Sequence, residues 1–391
     1  MHYLRTFLIV VTAACLFGQE QYPGKRALWV VRDALADSAE LDKIVSTAAS
    51  AGITDIFIQV RALGRSYYRG EIEPRAPFIS DAYDPLDLVI KRSESYGIRV
   101  HAWINMFYIW SGVQKPVEIN HPLNRFPQYL LARENPPDYA ELKKSGIEGY
   151  FLDPQSNDIQ KYLLNVLLEV VDTYLINGLH LDYFRYPDVE YSFTADSRTN
   201  FRILHFFDPL KLYYDPEQYV NGHGYAVYQQ ADKEYRHFLM ETLSRYLADI
   251  YKSVKEKNKD LDLSVAVKPD PVEAKFRYYQ DWQNWIRNQY CDYVVLMNYR
   301  TEWNEFVAVM NQLQEVKDRE KIIMGISTFN QNESAVQKRL KAVQQAGFGG
   351  FALFSYNHLA GNKNYFYKML LIDERALRRE LFGNKEKKRR S

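Results

Sequence analysis

Eight short apolar runs, separated by stretches of helical periodicity, set the strongest limit on what this chain can become. The runs are 26–33 (RALWVVRD), 54–61 (TDIFIQVR), 98–105 (IRVHAWIN), 178–184 (GLHLDYF), 261–268 (LDLSVAVK), 293–299 (YVVLMNY), 321–327 (KIIMGIS) and 349–356 (GGFALFSY). Short runs rich in Val, Ile and Leu suit strands covered on both faces, as in a parallel sheet. The intervening stretches read as helices. In 155–176, Ile159, Tyr162, Leu163, Val166, Val170 and Tyr174 recur at helical spacing, and Gly178 follows as a stop. Asp84 before Pro85 is a helix-opening pair, and 333–345 forms a third pattern ended by Gly347. Strand–helix alternation implies an α/β fold, and eight repeats are the count for a single (β/α)8 TIM-type barrel. The competing fold is an open doubly wound sheet. It usually announces itself with a Gly-rich first turn, and neither G-x-G-x-x-G nor G-x-x-x-x-G-K-[ST] occurs here.

A chain of 391 residues leaves room for long loops on such a barrel. Two insertions stand out, at about 106–150 after strand three and about 185–228 after strand four. The second is dense in Tyr and Phe. Long loops after barrel strands sit at the catalytic face.

Residues 1–25 read as a leader with a short linker, 26–382 as the barrel and 383–391 as a basic, solvated tail. The segment 1–5 carries a positive charge, 6–17 is apolar (TFLIVVTAACLF) and polar 19–21 follows, the order of a secretory signal. The apolar stretch is too short for a permanent membrane span. Thr12-Ala13-Ala14-Cys15 is similar to a degenerate lipobox, which would leave Cys15 lipidated; cleavage near Gly18 is the alternative. Both place the mature protein outside the cytoplasm: in the periplasm, on the outer membrane as a lipoprotein, or secreted. A lipid at Cys15 would be its only membrane attachment.

A net charge of +1 gives no field for nucleic acid, and two cysteines supply neither a disulfide framework nor a thiolate zinc site. The chain is 15% aromatic with 31 tyrosines. Tyr-rich surfaces suit part-apolar, part-hydroxylated ligands such as sugars, although Tyr also serves as core filler.

In a barrel, alternate strand residues point inward and those at the C-terminal ends meet the substrate. Strand two then offers Phe57, Gln59 and Arg61; strand three His101, Trp103 and Asn105; strand four His180, Asp182 and Phe184. Strand five offers Ser264, Ala266 and Lys268, with Asp270 just beyond; strand six offers Asn298 or Tyr299, with Glu302 in its loop; strand one ends at Asp33. Asp182 is the sharpest case, a carboxylate between an apolar run and an aromatic loop. It could act as nucleophile, general base or stabiliser of an oxocarbenium ion. Glycoside hydrolysis needs a second carboxyl group to protonate the leaving oxygen. Asp270 and Glu302 are the candidates, with Asp33 behind them. His101 and His180 either bond sugar hydroxyls or are satisfied core histidines.

Other chemistries fit less well. His180, Asp182 and His101 could converge on one ion, but strand one reads Trp29-Val30-Val31 where zinc barrels carry His-x-His, so neither a metal nor a cofactor is expected. The G-x-S-x-G elbow of a serine hydrolase is missing, and Cys291 precedes strand six at the wrong end of the barrel for a nucleophile.

The segments A-L-W-V-V-R-D-A-L (27–35), Q-V-R-A-L-G-R-S-Y-Y (59–68), H-A-W-I-N-M-F-Y-I-W-S (101–111), L-D-P (152–154), G-L-H-L-D-Y-F-R-Y-P (178–187), S-V-A-V-K-P-D (264–270), Q-D-W-Q-N-W (280–285), M-N-Y (297–299) and F-S-Y (354–356) carry a resemblance. Taken in order, with D-P-L (84–86), they resemble the bacterial glycosyl-hydrolase-like family ten across about 26–360. The resemblance implies a TIM-type barrel acting on glycans outside the cytoplasm, in at least one branch on the cell wall. It implies Asp182 as the leading catalytic carboxylate and places Gln59, Arg61, His101, Trp103, Asn105, His180, Arg185, Asp270, Asn298 and Tyr299 at the site. The chain departs from the family pattern at Ser66 and Tyr183, where relatives carry acidic residues.

These readings converge on a glycosidase cleaving a polysaccharide, peptidoglycan strands favoured, with Asp182 as nucleophile or base and Asp270 or Glu302 as acid. Asp33, Gln59, Arg61, His101, Trp103, Asn105, His180, Tyr183, Arg185, Asn298, Tyr299 and Tyr356 would contact the substrate. The protein is expected to work as a monomer. A non-catalytic glycan-binding barrel and a lytic transglycosylase are the alternatives.

Overall fold

The computed structural model describes residues 24–133 and 138–360. The leader with Cys15, the 361–382 end of the expected barrel span and the basic tail lie outside the described residues. The eight strands are β1 (Lys25–Val30), β2 (Asp55–Ala62), β3 (Arg99–Asn105), β4 (Gly178–Asp182), β5 (Asp262–Val267), β6 (Tyr293–Met297), β7 (Ile322–Ser327) and β8 (Gly350–Phe354). All pair in parallel with their neighbours in chain order, and β1 pairs with β8 to close the ring. The fold is a (β/α)8 barrel.

Helices alternate with the strands: α1 (Ser38–Ser50), α2 (Pro85–Glu94), α3 (Asn157–Thr173), α4 (Tyr225–Lys257), α5 (Pro271–Arg277), α6 (Trp282–Arg287), α7 (Trp303–Gln312) and α8 (Glu333–Gln345). Their termini follow local chemistry. Asp84 accepts from the Leu86 and Asp87 amides and Pro85 occupies the first turn of α2. Ser156 caps α3, whose Ile159, Tyr162, Leu163, Val166 and Val170 are buried against the barrel. No helix among the described residues is long and apolar enough to cross a membrane.

Two cores result. The larger lies between strands and helices. The smaller fills the barrel with Ala27, Trp29, Phe57, Trp103, Tyr293, Val295, Ile323 and Ala352, inward residues of six of the eight strands. Glycines make room for its large rings. A Cβ on Gly178 would stand 2.2 Å from His101 Nδ1, and one on Gly325 3.0 Å from the Trp29 ring.

One strand breaks the alternation. The β2–β3 register slips between Gln59 and Arg61, so Gln59 faces Trp103 whereas Arg61 pairs with Ile104. The extra residue is a bulge. It turns Arg61 out of the barrel, where the simple period of two had placed it inside.

The chain after β3 returns through an antiparallel pair, Tyr108–Trp110 with Tyr150–Phe151. The chain after β4 forms the helices Ala195–His205, Leu210–Tyr214 and Pro216–His223 before α4.

Candidate active site

At the C-terminal end of the barrel lies a cavity of about 340 Å³, lined from seven of the eight strands and from the loops after β3 and β4. Its wall includes Trp29, Gln59, Trp103, Asn105, Asp182, Tyr299 and Phe354, with Arg32, Tyr108, Glu148, Tyr183, Arg185 and Lys268 around them.

Asp182 is the last residue of β4, 8% exposed. Its Oδ2 accepts from Trp103 Nε1 at 3.2 Å and its Oδ1 from the Tyr183 amide at 2.7 Å. Burial raises its pKa, against the pull of these donors and of Arg185 and Lys268. The next residue, Tyr183, takes a positive φ of 51° and stacks on Tyr108 at 4.6 Å.

Glu148 is the second carboxyl group of the cavity, and sequence reasoning passed over it. Its side chain is 41% exposed and its Oε1 accepts from Arg185 Nη2 at 2.6 Å. Burial pushes its pKa up, but Arg185 outweighs that and the net shift is downward. Two carboxyl groups in one cavity are thus pushed apart. The only sequence signal was an acid bracketed by Gly146 and Gly149 in a long loop. Gly149 is required there, since its Cβ would lie 2.1 Å from the Trp110 carbonyl.

The structure brings several expected residues to the cavity wall. Gln59 accepts from Arg32 Nη1 at 3.2 Å and donates to Asn105 Oδ1 at 3.3 Å, fixing both amides. Tyr299 stacks on Phe354 at 5.3 Å and meets Trp29 edge-on at 6.4 Å. Of the two strand-six alternatives, Tyr299 lines the cavity and Asn298 does not; Asn298 donates to the Phe306 carbonyl at 3.2 Å.

Others stand elsewhere. His101 is fully buried near the opposite end of the barrel, its Nε2 2.8 Å from Asp55 Oδ1 in a cluster with Lys25, Asp262 and Arg99. Burial lowers its pKa despite Asp55. His180 occupies the barrel's middle. Its Nε2 accepts from Trp29 Nε1 at 3.0 Å, its Nδ1 lies 2.9 Å from Ser264 Oγ, and its ring stacks on Phe57 at 4.2 Å. Burial keeps it neutral. Both histidines are satisfied core residues below the cavity.

Arg61, displaced by the bulge, forms a fully buried two-point pair with Glu73 (2.8 and 2.6 Å), and Tyr162 also donates to Glu73. Asp270 caps α5, accepting from the Val272 and Glu273 amides at 2.9 and 3.1 Å. Glu302 is exposed at the start of α7. Asp33 is exposed beside Arg32, and Tyr356 donates to Glu40 at 2.6 Å. None of these five lines the cavity. Helix capping and loop anchoring account for polar residues at strand ends as readily as chemistry does.

A closed parallel barrel with an aromatic, carboxyl-bearing cavity at the C-terminal ends of its strands has the architecture of the carbohydrate-active barrels. The chain belongs to the family described as Glycosyl hydrolase-like 10, which matches residues 25–338. It is 25% identical over 156 residues to "Glycosyl hydrolase DigH" of Escherichia coli K12, covering 38% of this chain and 34% of that protein. It is 23% identical over 173 residues to "Glycosyl hydrolase YngK" of Bacillus subtilis 168, covering 42% and 31%. The match thus spans about a third of each curated relative. Among solved structures, the glycoside hydrolase domain of PgaB (BpsB) from Bordetella bronchiseptica aligns with a TM-score of 0.64 at 11% identity, covering 89% of this chain and 98% of that one. A β-galactosidase from Bacillus circulans sp. alkalophilus aligns at 0.56 with 15% identity, covering 86% and 51%. At such identities the likeness is one of fold.

Proposed function

We propose that this protein is a glycoside hydrolase that cleaves O-glycosidic bonds of a polysaccharide, with Asp182 as general acid and Glu148 as its carboxylate partner. The observation that carries this reading is the pair itself. One cavity holds two carboxyl groups, Asp182 pushed up by burial and Glu148 drawn down by the arginine it pairs with. Titratable neighbours driven apart in this way divide into acid and base. The roles differ from those expected from the sequence, which gave Asp182 the ionised part and looked to Asp270 or Glu302 for the acid.

Asp182 would protonate the departing glycosidic oxygen as the bond to the anomeric carbon breaks. Glu148 would either take a proton from the attacking water or bond to the anomeric carbon itself, giving inversion or retention. Trp103 orients the Asp182 carboxyl through its indole N–H. Tyr299 and Phe354, both partly exposed, supply ring surface for sugar packing, and Gln59 and Asn105 supply amides for hydroxyls.

Peptidoglycan strands outside the cytoplasm are the favoured substrate class. The family resemblance and the leader-like first residues support this. The test compares the wild type with Asp182→Asn, Glu148→Gln and Asp270→Ala on peptidoglycan, with and without stem peptides, and on other polysaccharides. Products are read by mass spectrometry and their anomeric configuration by NMR. Fragments from wild type and Asp270→Ala, with Asp182→Asn and Glu148→Gln greatly impaired, support the reading. Near wild-type turnover by Asp182→Asn would sink it. Anhydro ends would indicate a lytic transglycosylase, and tight binding without fragments a glycan-binding barrel.

A further inference from the structure

The cavity carries more positive charge than its acids neutralise. Arg185 is paired with Glu148. Arg32 is engaged by Gln59 at 3.2 Å and lies 3.8 Å from Asp33 at the rim. Lys268, just past the end of β5, lines the same cavity and is only partly exposed. Among the described residues no carboxylate lies within ion-pair distance of its Nζ, which rests 4.5 Å from the centre of the Tyr278 ring. The Arg185 guanidinium lies 5.0 Å from the centre of that same ring. Arg277 lies 5.2 Å from that ring too, paired with Asp188 and Glu273, so of the three cations around this tyrosine Lys268 alone has no carboxylate at ion-pair distance among the described residues.

That arrangement is unfavourable by itself. A partly desolvated ammonium without a counter-ion costs free energy, and a like charge nearby adds to the cost. Both effects act on Lys268, whose pKa is lowered first by burial and then by Arg185. Glu148, Glu273 and Asp182 act on it in the opposite sense, from beyond ion-pair distance, and the net shift stays downward. A bound anion would relieve both.

We infer that Lys268 is a specificity residue that pairs with a carboxylate on the sugar, so the glycan taken by this cavity is an acidic one, of the uronic-acid or lactyl-ether type. This rests on the glycosidase reading for the identity of the ligand as a glycan. A neutral glycan would leave the ammonium unpaired and buried more deeply. A carboxylate would gain a charge-assisted hydrogen bond in a place already stripped of water.

The test measures binding by calorimetry in the Asp182→Asn background, where turnover does not intervene. The probes are polyuronate oligosaccharides and peptide-free peptidoglycan strands, each against a twin whose carboxyl groups have been converted to amides. At least one acidic probe should bind ten-fold or more tightly than its twin. Lys268→Gln should abolish that preference, and Lys268→Arg should keep part of it. Equal affinity for acid and amide, a preference that survives Lys268→Gln, or no binding of any acidic probe would each overturn the proposal. The two readings fail separately. A preference that depends on Lys268, with no cleavage by wild type, would remove the glycosidase and keep the carboxylate site. Cleavage of amide and acid at equal rates would do the reverse.

Discussion

Asp153 offers a test of the site's scaffold that needs no substrate. It is fully buried behind the loop that carries Glu148. Its Oδ1 accepts from the Gln155 amide at 2.9 Å and its Oδ2 from Thr194 Oγ1 at 2.5 Å, tying the chain after β3 to the chain after β4. Burial raises its carboxyl from the usual 3.8 to about 6, and the hydrogen bonds offset only part of that. A group raised on folding contributes its full stability below the unfolded value and loses it as pH climbs through the folded one. The gap of about two pH units corresponds to roughly 3 kcal/mol, at about 1.4 kcal/mol per unit. Asp153→Asn removes the ionisation and keeps an acceptor for the Gln155 amide, while the Thr194 hydroxyl can turn to accept from the new amide. The stability of the variant minus that of the wild type should therefore swing by about 3 kcal/mol in favour of the variant between pH 3.5 and pH 7. Urea unfolding followed by circular dichroism across that range measures it, and the subtraction cancels the other titrating groups. A difference that stays flat with pH, or a swing toward the wild type, would refute the reasoning.

Four further outcomes are expected. Asp182→Asn should lower turnover by about two to four orders of magnitude with an unchanged circular dichroism spectrum, the usual worth of a general acid. Arg185→Gln frees Glu148 and also removes a charge that lowers the Asp182 pKa, so both limbs of the pH–rate profile should move to higher pH. Asp270→Ala should cost about 1 kcal/mol in urea unfolding through loss of the α5 cap and leave turnover within a few-fold of wild type. Gly178→Ala forces a methyl group against His101 and the Asp262 carbonyl, and thermal unfolding should show a loss of about 1–3 kcal/mol or more.

The sequence alone determined the barrel. Its eight strands are apolar runs because parallel strands are covered on both faces, and its helices carry their own start and stop chemistry at Asp84, Ser156 and Gly347. Alternation also put Gln59, Trp103, Asn105 and Asp182 on the inner side, where they line the cavity. Alternation carries no information about depth, and His101, His180 and Asp182 follow the same rule at three different heights. Only the stacked layers of the closed ring show that two of them are core. The β2 bulge lies in the strand pairing, so Arg61 read as inward until its partner was seen to be Ile104. A carboxylate at a strand end is ambiguous between cap and catalyst, and Asp270 was resolved by the amides it accepts from. Glu148 belongs to no strand. Its place in the same cavity as Asp182 comes from a long loop, held by Arg185 and by the antiparallel pair that brackets it. Local periodicity fixes which way a side chain points, but contact between residues far apart in the chain is set by how the loops close, and that information exists only in the folded molecule.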